Sequence, residues 1–269
     1  MSAIRLGTRA STLATTQSEM VAGLLRSEGL DVNLTTITTH GDTSTASLAA
    51  MGGIGVFASA IRAALLEGEA DIAVHSFKDL PTGRPLGLAI GAVPARADPR
   101  DALVARDGLT LHDLPQEASV GTGSPRRAAQ LLAVRPDLTI VDIRGNVDTR
   151  LGRVKGLGHY AKGGGKEDLD AVVLAASGLA RLGHSGTVTE FLDPSVVLPA
   201  PAQGALAVEC RTADSRHGKL AKALARIDDR RTRLAATAER AVLSHLEAGC
   251  AAPIGALAQL KPVSGSSPQ

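Results

Sequence analysis

Short apolar runs alternate with longer stretches of helical periodicity along most of the chain. Residues 72–74, Ile-Ala-Val, are β-branched at both ends and too few for a helix, which predicts a buried strand. Further strands are predicted over 3–7, 32–38, 86–93, 102–105, 119–122, 139–143, 170–176 and 205–210, with one more over 256–260. A helix starts at Ser11, a candidate N-cap, and runs to residue 27; Leu13, Gln17, Met20, Val21, Leu24 and Leu25 share its apolar face and Gly29 stops it. A second spans 56–67, with Val56, Ala60, Ile61, Ala64 and Leu65 inward. Ser124 as N-cap and Pro125 at the first helical position open a helix that reaches residue 134. Asn146 caps another, 177–182 forms a short one, and 220–227 and 232–246 close the series.

Strand–helix alternation at this rhythm gives an α/β fold with sheets flanked by helices. The polar, then glycine-rich stretch 40–55 and the glycine- and lysine-rich stretch 156–166 read as loops, and Leu-Pro-Ala-Pro-Ala-Gln-Gly at 198–204 as a stiff connector. Asp98-Pro-Arg-Asp marks a crossing into a second unit, and the strand at 205–210 returns to the first. The division expected is a discontinuous first domain (1–97 and 200–219), a second domain (98–199) and a small third one (220–269).

Composition narrows the classes of function. With 269 residues and 44% apolar content the chain fills more than one core, and a net charge of +2 makes it no general polyanion binder. Four aromatic rings, Phe57, Phe77, Phe191 and Tyr160, are too few for base-stacking platforms, so no nucleic-acid partner is expected. Two cysteines suit a reducing compartment. Arg5 and Arg9 interrupt any signal-peptide core and no apolar run reaches membrane-spanning length, so a soluble cytoplasmic protein with no membrane partner is expected.

The chemistry starts at the end of the 72–74 strand, where Lys78 and Asp79 stand side by side before Pro81. Open α/β sheets bind ligands at the carboxyl ends of their strands. A Lys-Asp pair there can meet an anionic substrate and steady a positive charge; elsewhere it is an idle surface pair. The arginines decide between these readings. Arg126 and Arg127 lie in the first turn of a predicted helix, where the helix dipole disfavours cations unless an anion sits at that end. Arg9, Arg144, Arg150 and Arg181 also fall at strand–helix junctions. Guanidinium groups pair bidentately with carboxylates, so several around one cleft imply a ligand with several carboxylates or phosphates. No Walker-type loop is present, and the histidines lack metal-ligand spacing. Cys250 sits in a turn before Pro253, as a nucleophile, a covalent anchor or an inert small residue; Cys210 lies inside an apolar strand and His75 reads as a local hydrogen-bonder.

Seven motifs carry a resemblance: Gly7-Thr-Arg9-Ala-Ser11, His75-Ser-Phe-Lys78-Asp79, Gly121-Thr-Gly-Ser-Pro-Arg126-Arg127, Arg144-Gly-Asn-Val-Asp-Thr-Arg150, Gly178-Leu-Ala-Arg181, Pro201-Ala-Gln-Gly-Ala and Leu246-Glu-Ala-Gly-Cys250-Ala-Ala-Pro-Ile-Gly. Together, in this order, they make the chain resemble the porphobilinogen deaminase (hydroxymethylbilane synthase) family. The resemblance implies two type II periplasmic-binding-protein-like domains around a cleft and a small α/β third domain, here short at its C-terminal end. It implies a monomeric transferase of tetrapyrrole (haem) biosynthesis, which joins four porphobilinogen molecules head to tail with loss of ammonia. It also implies a dipyrromethane cofactor on the Cys250 sulfur, with Asp79 as the catalytic carboxylate. Arg9, Ser11, Lys78, Ser124, Arg126, Arg127, Arg144 and Arg150 would hold the cofactor, and Arg9, Arg144, Arg150 and Arg181 the substrate carboxylates. Gly123 stands where the family usually has a second serine, and Ile54 where many members carry lysine. The competing readings are a non-enzymatic two-domain binder of a small polycarboxylate, which leaves Cys250 without a task, and an inactive truncated deaminase.

Overall fold

The computed structural model describes residues 3–37, 58–83, 85–248 and 252–260. The predicted 40–55 loop, Ile54, the start of the helix expected from Val56, and Cys250 lie outside them.

Two five-stranded sheets organise the chain. The strands and helices of the first part are β1 (Ile4–Thr8), α1 (Thr12–Ser27), β2 (Val32–Thr36), α2 (Ser59–Leu66), β3 (Ile72–Ser76) and β4 (Leu88–Ala92). β5 (Asp101–Ala105) opens the second part, followed by β6 (Ser119–Gly121), α3 (Pro125–Val134), β7 (Thr139–Val141), α4 (Val147–Leu151), β8 (Ala171–Ala175), α5 (Ala176–Arg181) and β9 (Glu190–Phe191). β10 (Leu206–Arg211) then returns to the first sheet, and α6 (Gly218–Ile227) and α7 (Arg230–His245) follow.

The sheet orders are β2-β1-β3-β10-β4 and β7-β6-β8-β5-β9. In each, the strand that arrives from the other part is the antiparallel one: β10 runs against β3 and β4, and β5 against β8 and β9. The two units thus share one topology, a mixed five-stranded sheet with helices beside it. Because β3 and β8 sit mid-sheet, their faces are covered on both sides, and they read as apolar runs, Ile72–Val74 in β3 and the whole of β8. Along β8 and β5 successive side chains enter opposite layers: Val173 and Leu103 pack with Val120 and Leu131, while Val172 and Val104 pack with Ile143, Leu151 and Leu179.

Three local expectations change. On α1 the buried face is Gln17, Ser18, Val21, Ala22 and Leu25; Met20 and Leu24 are exposed, so the inward stripe is turned toward smaller residues. Residues 256–260 do not form a strand; Ala256 N–H donates to Pro199 O and Ala258 N–H to Glu239, so tertiary partners take the place of a ladder. α6, placed by the domain reading in the third unit, buries Ala223 and Leu224 in the core under the first sheet with Val208 and Cys210. Among the described residues no helix is long and apolar enough to cross a membrane.

Candidate active site

β3 carries Ile72, Ala73 and Val74 fully into the core, and at Ser76 the chain enters a single 3-10 turn, Phe77–Asp79. Phe77 anchors the turn: its ring is buried and its N–H donates to Ala205 O at 3.0 Å. Lys78 and Asp79 thereby reach the wall of a cavity of about 970 Å³ that opens between the two sheets. Loss of hydration pushes the Lys78 ammonium down to about 8, with Asp79 pulling the other way. Lys78 Nζ donates to Gln203 Oε1 at 3.3 Å.

Helix starts supply the rest of the wall. Ser11 caps α1, its Oγ accepting from Ala14 N–H at 3.4 Å, and brings Arg9 with it. Asn146 caps α4 by accepting from Thr149 N–H at 2.8 Å, which places Arg144 before the helix and Arg150 within it. Arg150 Nε donates to Gly145 O at 2.9 Å; burial, then Arg127 and Arg144, lower its pKa. Arg181 ends α5, donates through Nη2 to Gly204 O at 2.7 Å and keeps a buried Nε with no hydrogen-bond partner. Burial pushes its guanidinium down to about 10. Two lining carboxylates temper this charge, Asp142 and Asp148, the latter 2.7 Å from His184 Nε2.

Arg126 and Arg127 have a different task. The anion that the start of α3 requires comes from the chain itself: Asp101, fully buried on β5, accepts from Arg127 Nε at 3.0 Å and Nη2 at 2.7 Å and pairs with Arg126 Nη2 at 2.8 Å. Burial alone would raise the Asp101 carboxyl; Arg127 and Arg126 outweigh it and hold it at about 2. Arg126 also donates to Leu198 O and is not among the cavity-lining residues; Arg127 reaches the lining with its charge already matched. Ser124 precedes α3 but makes no side-chain cap; its N–H donates to Thr122 Oγ1, and it too stays off the lining.

The structure therefore brings Arg9, Ser11, Lys78, Asp79, Arg127, Arg144, Arg150 and Arg181 to one cleft and leaves Ser124 and Arg126 beside it. Sequence reasoning missed Gln203. Its Nε2 donates to Asp101 Oδ1 and Pro99 O, both at 2.8 Å, while its Oε1 receives Lys78, so one buried amide links the two sheets. The signal was present in Pro-Ala-Gln-Gly: Gly204 has φ +87°, and a Cβ there would meet Ala97 O at 2.5 Å, a close approach that marks the connector as packed. Gly123 has a similar reason, since a Cβ would lie 2.7 Å from Ile143 O.

A dipyrromethane fits this wall. Its carboxylates need cationic donors with spare valence in a roomy cavity, and Arg181, which lines the cleft and keeps a buried Nε without a partner, offers that.

The comparisons agree with the geometry. The model described as "Porphobilinogen deaminase, dipyromethane cofactor binding domain" matches residues 4–219, and that of the porphobilinogen deaminase C-terminal domain matches residues 233–265. The chain is 98% identical over 269 residues to a porphobilinogen deaminase of Cutibacterium acnes, covering all of this chain and 80% of that protein. It is 57% identical over 279 residues to one of Micrococcus luteus, covering 97% of this chain and 74% of the relative. Among solved structures, a periplasmic substrate-binding protein of an ABC transporter from Coxiella burnetii is 17% identical with a TM-score of 0.48, covering 88% of this chain and 95% of the other. On its residue pattern, its topology and the extent of these matches, the chain belongs to the porphobilinogen deaminase family.

Proposed function

We propose that the cleft condenses porphobilinogen units head to tail, with loss of ammonia, into linear hydroxymethylbilane. The observation that carries this reading is the placement of the Lys78–Asp79 turn in one cavity with arginines from both sheets. Each porphobilinogen brings carboxylates, and Arg9, Arg144, Arg150 and Arg181 supply counter-charge from opposite walls. As the C–N bond of the substrate breaks, positive charge spreads over its pyrrole ring. The Asp79 carboxylate, fixed on a rigid turn, stabilises that charge where it develops and needs no reorganisation to do so. Lys78, charged below about pH 8, adds a point charge for a substrate carboxylate. Bound through the Cys250 sulfur, the dipyrromethane supplies the pyrrole terminus from which the product grows. Arg9, Ser11, Lys78, Arg127, Arg144 and Arg150 are the residues to hold it.

The division we favour is 1–97 with 200–219, 98–199, and a third unit, with α6 attached to the first by its packing. A monomer in the cytoplasm, without nucleic-acid or membrane partners, suits the two cysteines and the few aromatic rings.

Intact-protein mass spectrometry with a turnover assay tests the function. The expected result is added mass of two pyrroles on Cys250 in both the wild type and Asp79→Asn, with turnover of the variant reduced about 10²–10³-fold, the usual cost of one preorganised electrostatic group. An unmodified wild-type chain without turnover supports the polycarboxylate binder or an inactive deaminase instead. A variant with near-normal turnover removes Asp79 from its role.

A further inference from the structure

The turn that carries Lys78 and Asp79 has open space on two sides. The cleft lies on one, and a second cavity of about 850 Å³, lined by Phe77, Leu80, Pro81 and Arg240 among others, lies on the other. Packing alone therefore does not hold the turn against α7. One side chain does most of that work from behind. Arg240 of α7 donates through Nη1 to Phe77 O and Leu80 O, both at 2.8 Å, and through Nη2 to Pro81 O at 2.7 Å. Its guanidinium carbon stands 4.5 Å over the Phe77 ring. The three carbonyls bracket Lys78 and Asp79 in sequence, so a single planar fork fixes the chain before and after the pair.

Elementary backbone chemistry explains why a cation is used. Phe77 O receives only the long 3.4 Å bond from Leu80 N–H inside the 3-10 turn, Leu80 O and Pro81 O lie past its C-terminal end, and the partial negative charge there favours a guanidinium. The fork itself is held. Glu239, the preceding residue, is fully enclosed; it accepts from Arg96 at 2.6 and 2.9 Å, from Ala202 N–H at 2.6 Å and from Ala258 N–H at 2.9 Å. Those partners belong to the connectors between the two sheets and to the segment after α7. The clamp thus ties the Lys78–Asp79 turn to the part of the fold through which the sheets are joined. In sequence, α7 leads within ten residues to Cys250.

We infer that Arg240 is a positioning residue for the condensation, setting the placement of Asp79 and Lys78 from the side of the turn opposite the substrate. The inference rests on the role proposed for Asp79 and adds a residue that lines none of the cleft. Its effect is geometric: a displacement of about 1 Å at a catalytic group costs up to ~10²-fold in rate.

The test uses the full chain carrying its cofactor, with Arg240→Gln, Arg240→Lys, Asp79→Asn and the double variant Asp79→Asn/Arg240→Gln. Arg240→Gln is expected to keep the pyrrole mass on Cys250, to lower kcat about 10–100-fold and to change KM much less. Arg240→Lys, which retains a cation and donors for part of the carbonyl set, recovers part of that loss. In the Asp79→Asn background Arg240→Gln has little further effect, because both changes remove the same contribution. A residue that only stabilises the fold would give losses that multiply, with no recovery by lysine at equal urea midpoint. Arg240→Gln within twofold of wild-type kcat, or multiplicative losses, overturns the inference. If Arg240→Gln does not fold, Arg240→Lys decides by the same cycle. Failure of the underlying reading is separable, since it shows in the wild type and in Asp79→Asn alone.

Discussion

Replacing Asp101 by asparagine keeps the size of the side chain and removes its charge, which isolates what that charge does. In the wild type one buried carboxylate faces Arg126 and Arg127 and also accepts from Gln203 Nε2. Side-chain exposure is 4% for Arg126, 8% for Arg127 and 0% for Asp101, so water cannot take over the lost partner. Asparagine offers one oxygen where the carboxylate offers two, and turns an NH₂ toward donors that cannot accept. Removing one side of a buried ion pair costs about 3–5 kcal/mol, because the remaining charge stays uncompensated. At about 2–4 °C per kcal/mol for a protein of this size, the melting temperature falls by about 6–20 °C. The assay is thermal unfolding followed by circular dichroism, with the midpoint as readout. A second variant tests charge balance directly. Adding Arg127→Gln to Asp101→Asn removes one of the two stranded cations and recovers part of the loss. The pH dependence gives an independent sign. Asp101 is held at about 2, below its ordinary 3.8, so its contribution is complete above pH 4 and lost as pH falls through 2. The gap between wild type and Asp101→Asn therefore narrows over that acid window. An Asp101→Asn midpoint unchanged at pH 7, or a double variant less stable than the single one, would refute the reasoning.

Two further predictions concern the cleft. The Lys78 ammonium, pushed down to about 8, is charged below that pH and neutral above it, so anion capture weakens on the alkaline side. At pH 9 about a tenth of the free enzyme keeps the charge, and kcat/KM should stand about tenfold below its plateau; in Lys78→Arg the same limb moves to higher pH or vanishes, and an identical limb in both proteins refutes the assignment. Arg181→Gln removes a buried cation with an open donor, and a lost charged hydrogen bond of about 1.5–3 kcal/mol lowers kcat/KM for porphobilinogen by about 10–100-fold, read by steady-state kinetics; an unchanged value excludes a substrate contact.

Much of this fold is readable locally because each cue acts within a few residues. The apolar run at 72–74 lies in the middle of a sheet, and Ser11 and Asn146 cap their helices through side-chain oxygens three residues back from the N–H they accept. What escapes is decided at long range. β9 has two residues and exists only by pairing with β5, so no pattern in Glu190-Phe191 announces it. Ser124 sits at a helix start yet its hydroxyl makes no cap. Nothing near Arg126 and Arg127 says that their anion is Asp101 on another strand, and nothing near Lys78 names Gln203 as its partner. The exposed Met20 and Leu24 show that amphipathic spacing fixes a helical face only to within one residue of arc.

The buried and cleft-lining arginines divide by what neutralises them. Arg126, Arg127 and Arg96 are paired with buried carboxylates, and Arg240 is spent on three carbonyls; these build the frame. Arg181 keeps a buried donor unused, and Arg150 contributes to the cavity wall with burial and two neighbouring guanidiniums lowering its pKa. Bringing like charges this close is unfavourable until an anion enters, so the wall of the cleft carries a standing preference for a ligand with several carboxylates. A single acid on a braced turn faces that same space. Under the role proposed for Asp79, such an arrangement would draw in the substrate by its carboxylates and set a fixed negative charge against the cation that forms during the reaction, with binding and chemistry served by opposite signs of charge.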